Sequence, residues 1–381
     1  MFGVNVVLLV GKEIPLPAPE LLTRAVDSIE VTNTDEGRDG FQIVFSVGRS
    51  TSDPMQNPLD YSLVDSLLLE TFNRLIIMVA FGLVPTVLID GIITHKELKP
   101  SAEPGQSKLT VKGEDVSIMM DREEQSTTHP NQPDPLVIAK IIGSYAKYGL
   151  VPTVVPPPSM DIPLEVNRVP AQQKTDLQHI KDLAKIYDYV FYIEPTAVPM
   201  VNKAYWGPKE YTSLPQKALT LNMGSFTNVT SINFQYSSLD STIVTGKVQD
   251  PLLNMEIPVV TVGSLRPPLA LFPDLLKNIG NAKKKKYRAK GGVNAIQAYG
   301  EAQATTDSST DAVTATGELD GLSYGDVLRA RKLVGLRGVG FLHDGYYYVK
   351  NVTHRIKKGE YKQSFTISRE GLGSTTPVVM P

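Results

Sequence analysis

The sequence predicts a mainly β, α+β chain in which two related β-domains flank an α/β insertion. Three observations carry that prediction. Apolar and polar residues alternate in "SIEVTN", "GFQIVFSVG", "FTNVTSINFQY" from Phe226, "YYYVKNVTHRI" from Tyr346 and "YKQSFTIS" from Tyr361. This is the period-two texture of half-buried strands rich in β-branched and aromatic residues. Helical signals are few and sit mostly in the middle of the chain. A short internal echo joins the two ends: Asp90-Gly91 leads through Ile92 and Ile93 into Thr94-His95-Lys96, and Asp344-Gly345 leads through "YYYVKNV" into Thr353-His354-Arg355. Each is followed by a further strand, "KLTVKGED" or "SFTISREG", ending beside a carboxylate. The match is short and its spacings differ, so chance repetition is the competing reading.

The elements follow in order. "MFGVNVVLLVGKEIPLP" reads as a strand, because its lysine comes after the apolar run and no small-residue cleavage site follows, unlike a signal peptide. "LIIMVAFGLVPTVLIDGII" from Leu75 is interrupted by Gly82, Pro85 and Asp90 before the roughly 20 apolar residues that a membrane helix needs, so a buried β-hairpin is expected. In "DPLVIAKIIGSYAKYG", Asp134 and Pro135 open a helix that Gly149 closes. A second helix, "TDLQHIKDLAKIYDY", has Thr175 as its cap and Leu177, Ile180, Leu183, Ala184 and Tyr187 as its apolar stripe, then runs into the strand "YVFYIEP". Pro-rich turns or spacers occupy 152–163 and 265–273. From Gly280 the texture becomes basic and poor in apolar residues, as expected of an exposed helix with a mobile loop, and strand texture returns after Gly317. The predicted domains are 1–120, 121–217 and 218–373, with a basic low-complexity insertion at 281–316 and a tail at 374–381.

Composition excludes several function classes. With 38 Lys+Arg against 40 Asp+Glu, no global field draws the chain to nucleic acid or an acidic membrane. The absence of cysteine rules out disulfides, thiolate metal sites and thiol nucleophiles. Gly321-Leu322-Ser323-Tyr324-Gly325 spells the G-x-S-x-G of a nucleophile elbow, which needs a helix directly after the serine. The following "DVLRARKLVGLRGVGF" is β-rich and glycine-spaced, so a β-turn is expected and a catalytic Ser323 is the weaker alternative. None of the possible partners His95, His129, His179, His343 and His354 is singled out by its setting. Gly335, Gly338 and Gly340 reverse the dinucleotide-binding order. His179 has only Asp176 and Asp182 at i±3, the spacing of an ordinary helix face, and reads as structural. Glu123, Glu124 and Asp311 lie in polar, loop-like stretches without the desolvation that would tune a catalytic carboxyl. Lys283–Lys286, with Arg288 and Lys290, form the one strong local charge; a solvated segment is favoured, and nucleic-acid contact is the alternative. No catalytic, cofactor-binding or metal-ligating residue is assigned.

Several stretches together resemble the late control protein D family, the baseplate hub proteins of contractile phage tails and related injection systems. "QQKTDLQHIKDLAKIYDYVFYIEP" is similar to that family's middle signature. "GELDGLSYGDVLRARKLVGLRGVGFLHDGYYYVKNVTHRIKKGEYKQSFTISREG" is similar to its closing barrel. The likeness, with "NRLIIMVAFGLVPTVLIDGIITHKEL", covers most of the chain. It implies two tandem tube-type β-barrels per subunit, a homotrimer beneath the inner tube protein, and a non-enzymatic adaptor that joins sixfold tube to threefold spike. Only "LGSTTPVVMP" follows the last strand, so a separate spike protein is expected, with other baseplate proteins as further partners. The resemblance also implies a particle assembled in the bacterial cytoplasm, with no membrane insertion.

Overall fold

The structure, a computed structural model, describes residues 4–47, 63–64, 66–82, 85–103, 105–158, 169–250, 254–288, 293–377 and 379. The first half contributes β1 (Asn5–Gly11), β2 (Val26–Thr34), β3 (Gly40–Val47), β4 (Arg74–Ala80), β5 (Pro85–Lys99) and β6 (Ser107–Asp115), in the antiparallel order β2-β3-β6-β5-β4-β1. In β3 the alternation is complete: Phe41, Ile43, Phe45 and Val47 are buried and the residues between them are half-buried. β4 and β5 form the expected hairpin. All seven residues of β4 are buried because both its faces are covered. Leu75, Ile77 and Val79 enter the main core, while Ile76 and Met78 pack with Val7, Leu9, Val87 and Met200. A strand buried on both faces reads as a continuous apolar run.

The insertion follows as β7 (Glu124–Thr128), α1 (Asp134–Ser144), β8 (Leu150–Val154), β9 (Ala171–Thr175), α2 (Asp176–Ile186), β10 (Tyr189–Pro195) and β11 (Asn202–Pro208). A three-stranded sheet, β10-β11-β8, carries the two helices, and the fully buried Trp206 lies between sheet and α2. Its Nε1 donates to the Ile180 carbonyl at 3.3 Å. Thr175 Oγ1 accepts from Gln178 N–H, so the predicted cap is made. Helix α1 ends at Ser144, before a 3-10 turn that Gly149 closes with φ 77°.

The second half begins with β12 (Gln216–Thr220) and β13 (Val229–Tyr236). A small layer interrupts it: β14 (Thr242–Asp250), β15 (Met255–Val260) and β16 (Lys283–Lys286) form a sheet under α3 (Ala295–Ser308). Where an exposed helix and mobile loop were expected, Ala298 and Ala302 of α3 are buried against Val244, Val248 and Val259. Small side chains let the helix approach the sheet without an apolar run. The half is completed by β17 (Val313–Asp320), β18 (Leu333–Arg337), β19 (Gly345–Lys357) and β20 (Glu360–Arg369), in the order β13-β17-β20-β19-β18-β12.

The two halves therefore repeat one strand plan. Bulges confirm the register: β2 slips at Asp27 and β13 at Thr230, while β5 slips at Thr94 and β19 at Lys350. Phe72 (φ 68°) and Arg331 (φ 67°) occupy matching left-handed positions. Their N–H groups donate to Ile93 O at 2.8 Å and Val349 O at 2.7 Å, each carbonyl just before its bulge. Aligned this way, Val26-Asp27-Ser28-Ile29 falls on Val229-Thr230-Ser231-Ile232. One departure is β12, parallel to β18, where β1 is antiparallel to β4. The Thr-His echo lies on corresponding strands out of step: His95 is the first residue past its bulge and exposed, whereas His354 is the fourth and buried.

The two tandem tube-type β-barrels that the resemblance implies do not stand out as closed sheets. Among the described residues both repeats belong to one open thirteen-stranded sheet, joined where Asn351–Lys357 of β19 pair antiparallel with Ser28–Thr34 of β2. The main core crosses the same junction and includes Val327, Ile356 and Tyr361.

Candidate assembly surface

Buried ion pairs fasten both repeats and the insertion at their common seam. Arg331 Nη1 donates to Asp39 Oδ2 at 3.1 Å and Nε to Thr34 O at 3.0 Å, while a second nitrogen reaches Asp39 Oδ1. Its guanidinium lies 4.3 Å from the centre of the Tyr192 ring of the insertion. Burial works against this charge, and Asp39 more than restores it, holding the group above its ordinary range. Arg74 binds Asp90 through Nε at 2.7 Å and Nη2 at 2.6 Å. Asn202 Nδ2 donates to Asp90 at 2.9 Å, and Arg74 Nη2 to Tyr148 O at 3.0 Å, which latches the insertion to the first repeat. Glycine is required nearby: a Cβ on Gly149 would lie 1.7 Å from Met200 O.

Asp311 corrects the sequence reading. It is not in a solvated loop; its side chain is only 12% exposed, 2.7 Å from Lys350 Nζ and 3.6 Å from Arg266 Nη1, and accepts from Ser368 Oγ at 3.1 Å. Burial alone would raise its carboxyl, but Lys350 and Arg266 overcome that and hold it below the usual carboxylate range. The neighbouring Asp35 and Asp188 are raised by burial despite Lys209 and Arg266 respectively. Asp176 was read as part of a solvated helix face, yet it is buried and accepts from Gln172 Nε2 at 2.7 Å and Tyr145 Oη at 2.8 Å. Only the fold reveals these burials, because the partners come from distant segments. Glu123 and Glu124 remain exposed, and Asp182 pairs with Lys174 at 2.5 Å.

Ser323 is exposed and makes no hydrogen bond to a histidine among the described residues. A one-turn helix, Gly321–Tyr324, does follow β17 where a β-turn was expected, but Asp320 Oδ1 already accepts from Leu322 N at 2.8 Å and Ser323 N at 2.9 Å. Those amides are held by an aspartate cap, as at an ordinary helix start. The histidines are dispersed. His95 contacts Thr94, His129 stacks with His179, His343 lies tilted against Phe234, and His354 lies 2.9 Å from Tyr361 Oη. Gly335 sits inside β18, while Gly338 (φ 89°) and Gly340 (φ 96°) shape the following turn. Lys283–Lys286 are exposed on β16, whose alternation sends neighbouring lysines to opposite faces; Arg288 is also exposed, and Lys290 lies outside the described residues.

Among the described residues, two of the unpaired backbone edges lie in the large sheet, on strands equivalent to the joined β2 and β19. Among the described residues, β13 pairs only with β17, and His95–Lys99 of β5 pair only with β6.

No family model matches the chain, and no curated protein matches it. Solved structures do. A tail protein from Neisseria meningitidis MC58 superposes with a TM-score of 0.62 at 13% identity, covering 98% of each chain. The fold is that of phage tail proteins. The 43 kDa tail protein of prophage MuSo2 from Shewanella oneidensis gives a TM-score of 0.65 at 13% identity, over 97% of this chain and 99% of the other. An E. coli component of the type VI secretion system, described as similar to the T4 tail proteins gp27 and gp5, gives 0.51 at 14% identity, over 93% and 77%. The shared fold spans both repeats and the insertion.

Proposed function

We propose that the chain is a baseplate hub of a contractile phage tail or injection system, a non-enzymatic homotrimer that joins a sixfold inner tube to a threefold spike. The observation that carries this reading is the duplicated strand plan within one sheet. Three copies in a closed ring present six repeats to the tube protein and keep threefold symmetry toward the spike. In this reading each repeat is a tube-type unit, the segment 121–217 is a lateral domain, and the small layer is an insertion into the second repeat. Other baseplate proteins complete the partners, and the particle is assembled in the bacterial cytoplasm. A density map of the assembled particle is expected to show three copies around the axis; six copies would refute it.

The hydrolase alternative has a direct test. Across an esterase and peptidase panel, wild type and Ser323→Ala are expected to give the same background, and serine-dependent turnover would overturn the non-enzymatic reading. Four exposed lysines on one strand support a second reading, contact with nucleic acid. That contact requires binding which weakens steeply with salt and is lost on charge reversal of Lys283–Lys286.

A further inference from the structure

We infer that β13 of one subunit adds to the open edge of β5 in a second copy, antiparallel and in the register that β2 uses on β19 within the chain. The inference deepens the hub reading and rests on it only for the number of copies.

The bulges supply the register. β2 corresponds to β13 and β5 to β19, so the junction between β19 and β2 inside the chain has a counterpart whose two halves, β5 and β13, both lie open. Transferring the register pairs Lys96 with Tyr236, Glu97 with Gln235, Leu98 with Phe234, and Lys99 with Asn233. The internal counterparts of the middle two are Thr353 with Thr32, whose hydroxyls are 3.2 Å apart, and His354 with Val31.

Burial identifies what is missing. On β2, Ile29 is 2% and Val31 0% exposed because β19 lies beside them. On β13 the corresponding Ile232 and Phe234 are only half-buried. Across the other edge, His354 is 1% exposed while its counterpart Leu98 is 38% exposed. A strand in the inferred register places Leu98 against Phe234 and satisfies a row of backbone N–H and C=O groups on both edges. Lys96, Glu97 and Lys99 meanwhile keep the free edge soluble, as charged side chains do on natural edge strands. The contact joins two different surfaces of identical chains, so repeating it generates a ring when the rotation closes. The occupant is therefore a second copy of this chain.

The chain has no cysteine, so introduced thiols report on the contact alone. Two in-register double variants are made, Leu98→Cys with Phe234→Cys and Glu97→Cys with Gln235→Cys. The first suits directly opposed residues, whose Cβ atoms lie about 4.5–5.5 Å apart in antiparallel pairs. The second replaces side chains outside the core and guards against misfolding. Leu98→Cys with Gln235→Cys is the off-register control, since a slip of one residue sends side chains to opposite faces. After mild oxidation of the assembled particle, and of the full-length chain at high concentration, the in-register variants are expected to give covalent oligomers on a non-reducing denaturing gel. The single variants and the off-register control are expected to lose them. Native mass spectrometry of the same samples counts the copies. A threefold ring without in-register cross-links overturns the edge pairing and leaves the hub reading standing. In-register cross-links in a ring of another size uphold the pairing and sink the trimer. No contact between copies in either sample refutes both.

Discussion

Arg331→Ala is expected to lower the free energy of unfolding by about 3–5 kcal/mol, the range for removing one partner of a buried ion pair. Its side chain is 7% exposed and that of Asp39 2%, so the abandoned carboxylate has little water to turn to. The same substitution frees Thr34 O and uncovers one face of Tyr192, which extends the damage from both repeats into the insertion. Urea denaturation of the purified chain measures the loss. Arg355→Ala is the control: Arg355 bridges the same two repeats to Glu30 at 3.0 Å, but both side chains are about half exposed, and a change of about 0–1 kcal/mol is expected. Equal losses in the two variants would remove the seam from the account of stability.

Acid is expected to weaken the fold through His354. Burial, with Arg329 acting in the same direction, holds its folded pKa down to about 3, against about 6.5 in the unfolded chain. Its Nδ1 lies beside Tyr361 Oη, and Nε2 has no hydrogen-bond partner among the described residues. Because the unfolded chain takes up the proton first, the stabilisation is fully present above pH 6.5 and is lost as pH falls toward 3. The slope is about 1.4 kcal/mol per pH unit, or about 2 kcal/mol between pH 6.5 and 5. His354→Leu, which installs the residue found at the corresponding Leu98, should flatten that slope. It leaves Tyr361 Oη without its partner, so its stability at pH 8 should fall by about 1–3 kcal/mol. His179 and His343, both lowered by burial, remain in the variant, and the difference between the two pH profiles isolates His354. An unchanged slope would assign the acid sensitivity to other groups.

Much of the fold was legible because its signals are local. Period-two texture located β3, β13, β19 and β20; the Thr175 cap and apolar stripe located α2; Gly82 and Pro85 marked the hairpin between β4 and β5. The duplication was legible only in outline. Thr-His-basic drew attention to the right strands and the wrong residues, whereas Val26-Asp27-Ser28-Ile29 and Val229-Thr230-Ser231-Ile232 carry the true register and went unread. A four-residue likeness acquires meaning only when bulges on neighbouring strands show that both copies sit at the same place. Continuous pairing of β2 with β19 was hidden for a related reason: a strand's sequence records which face is buried, and nothing in it names the neighbour across the ladder. The seam depends on charges contributed by segments far apart, so the setting of Asp311 could not be read from its flanks.

The pairing of β2 with β19 also imposes an order on synthesis. Thr32 meets Thr353 across 321 positions of chain. A ribosome adding about 5–20 residues per second takes roughly half a minute to deliver the second strand after the first. Throughout that interval the emerging N-terminal repeat lacks the strand beside β2, which leaves Ile29 and Val31 short of one neighbour, and long-range strand pairing of this kind closes slowly once the partner arrives. A nascent chain halted before Asn351 is therefore expected to be adhesive, because its ladder is unfinished. Aggregation is the hazard of that waiting period, and a co-translational chaperone that shields the flank would be most useful then.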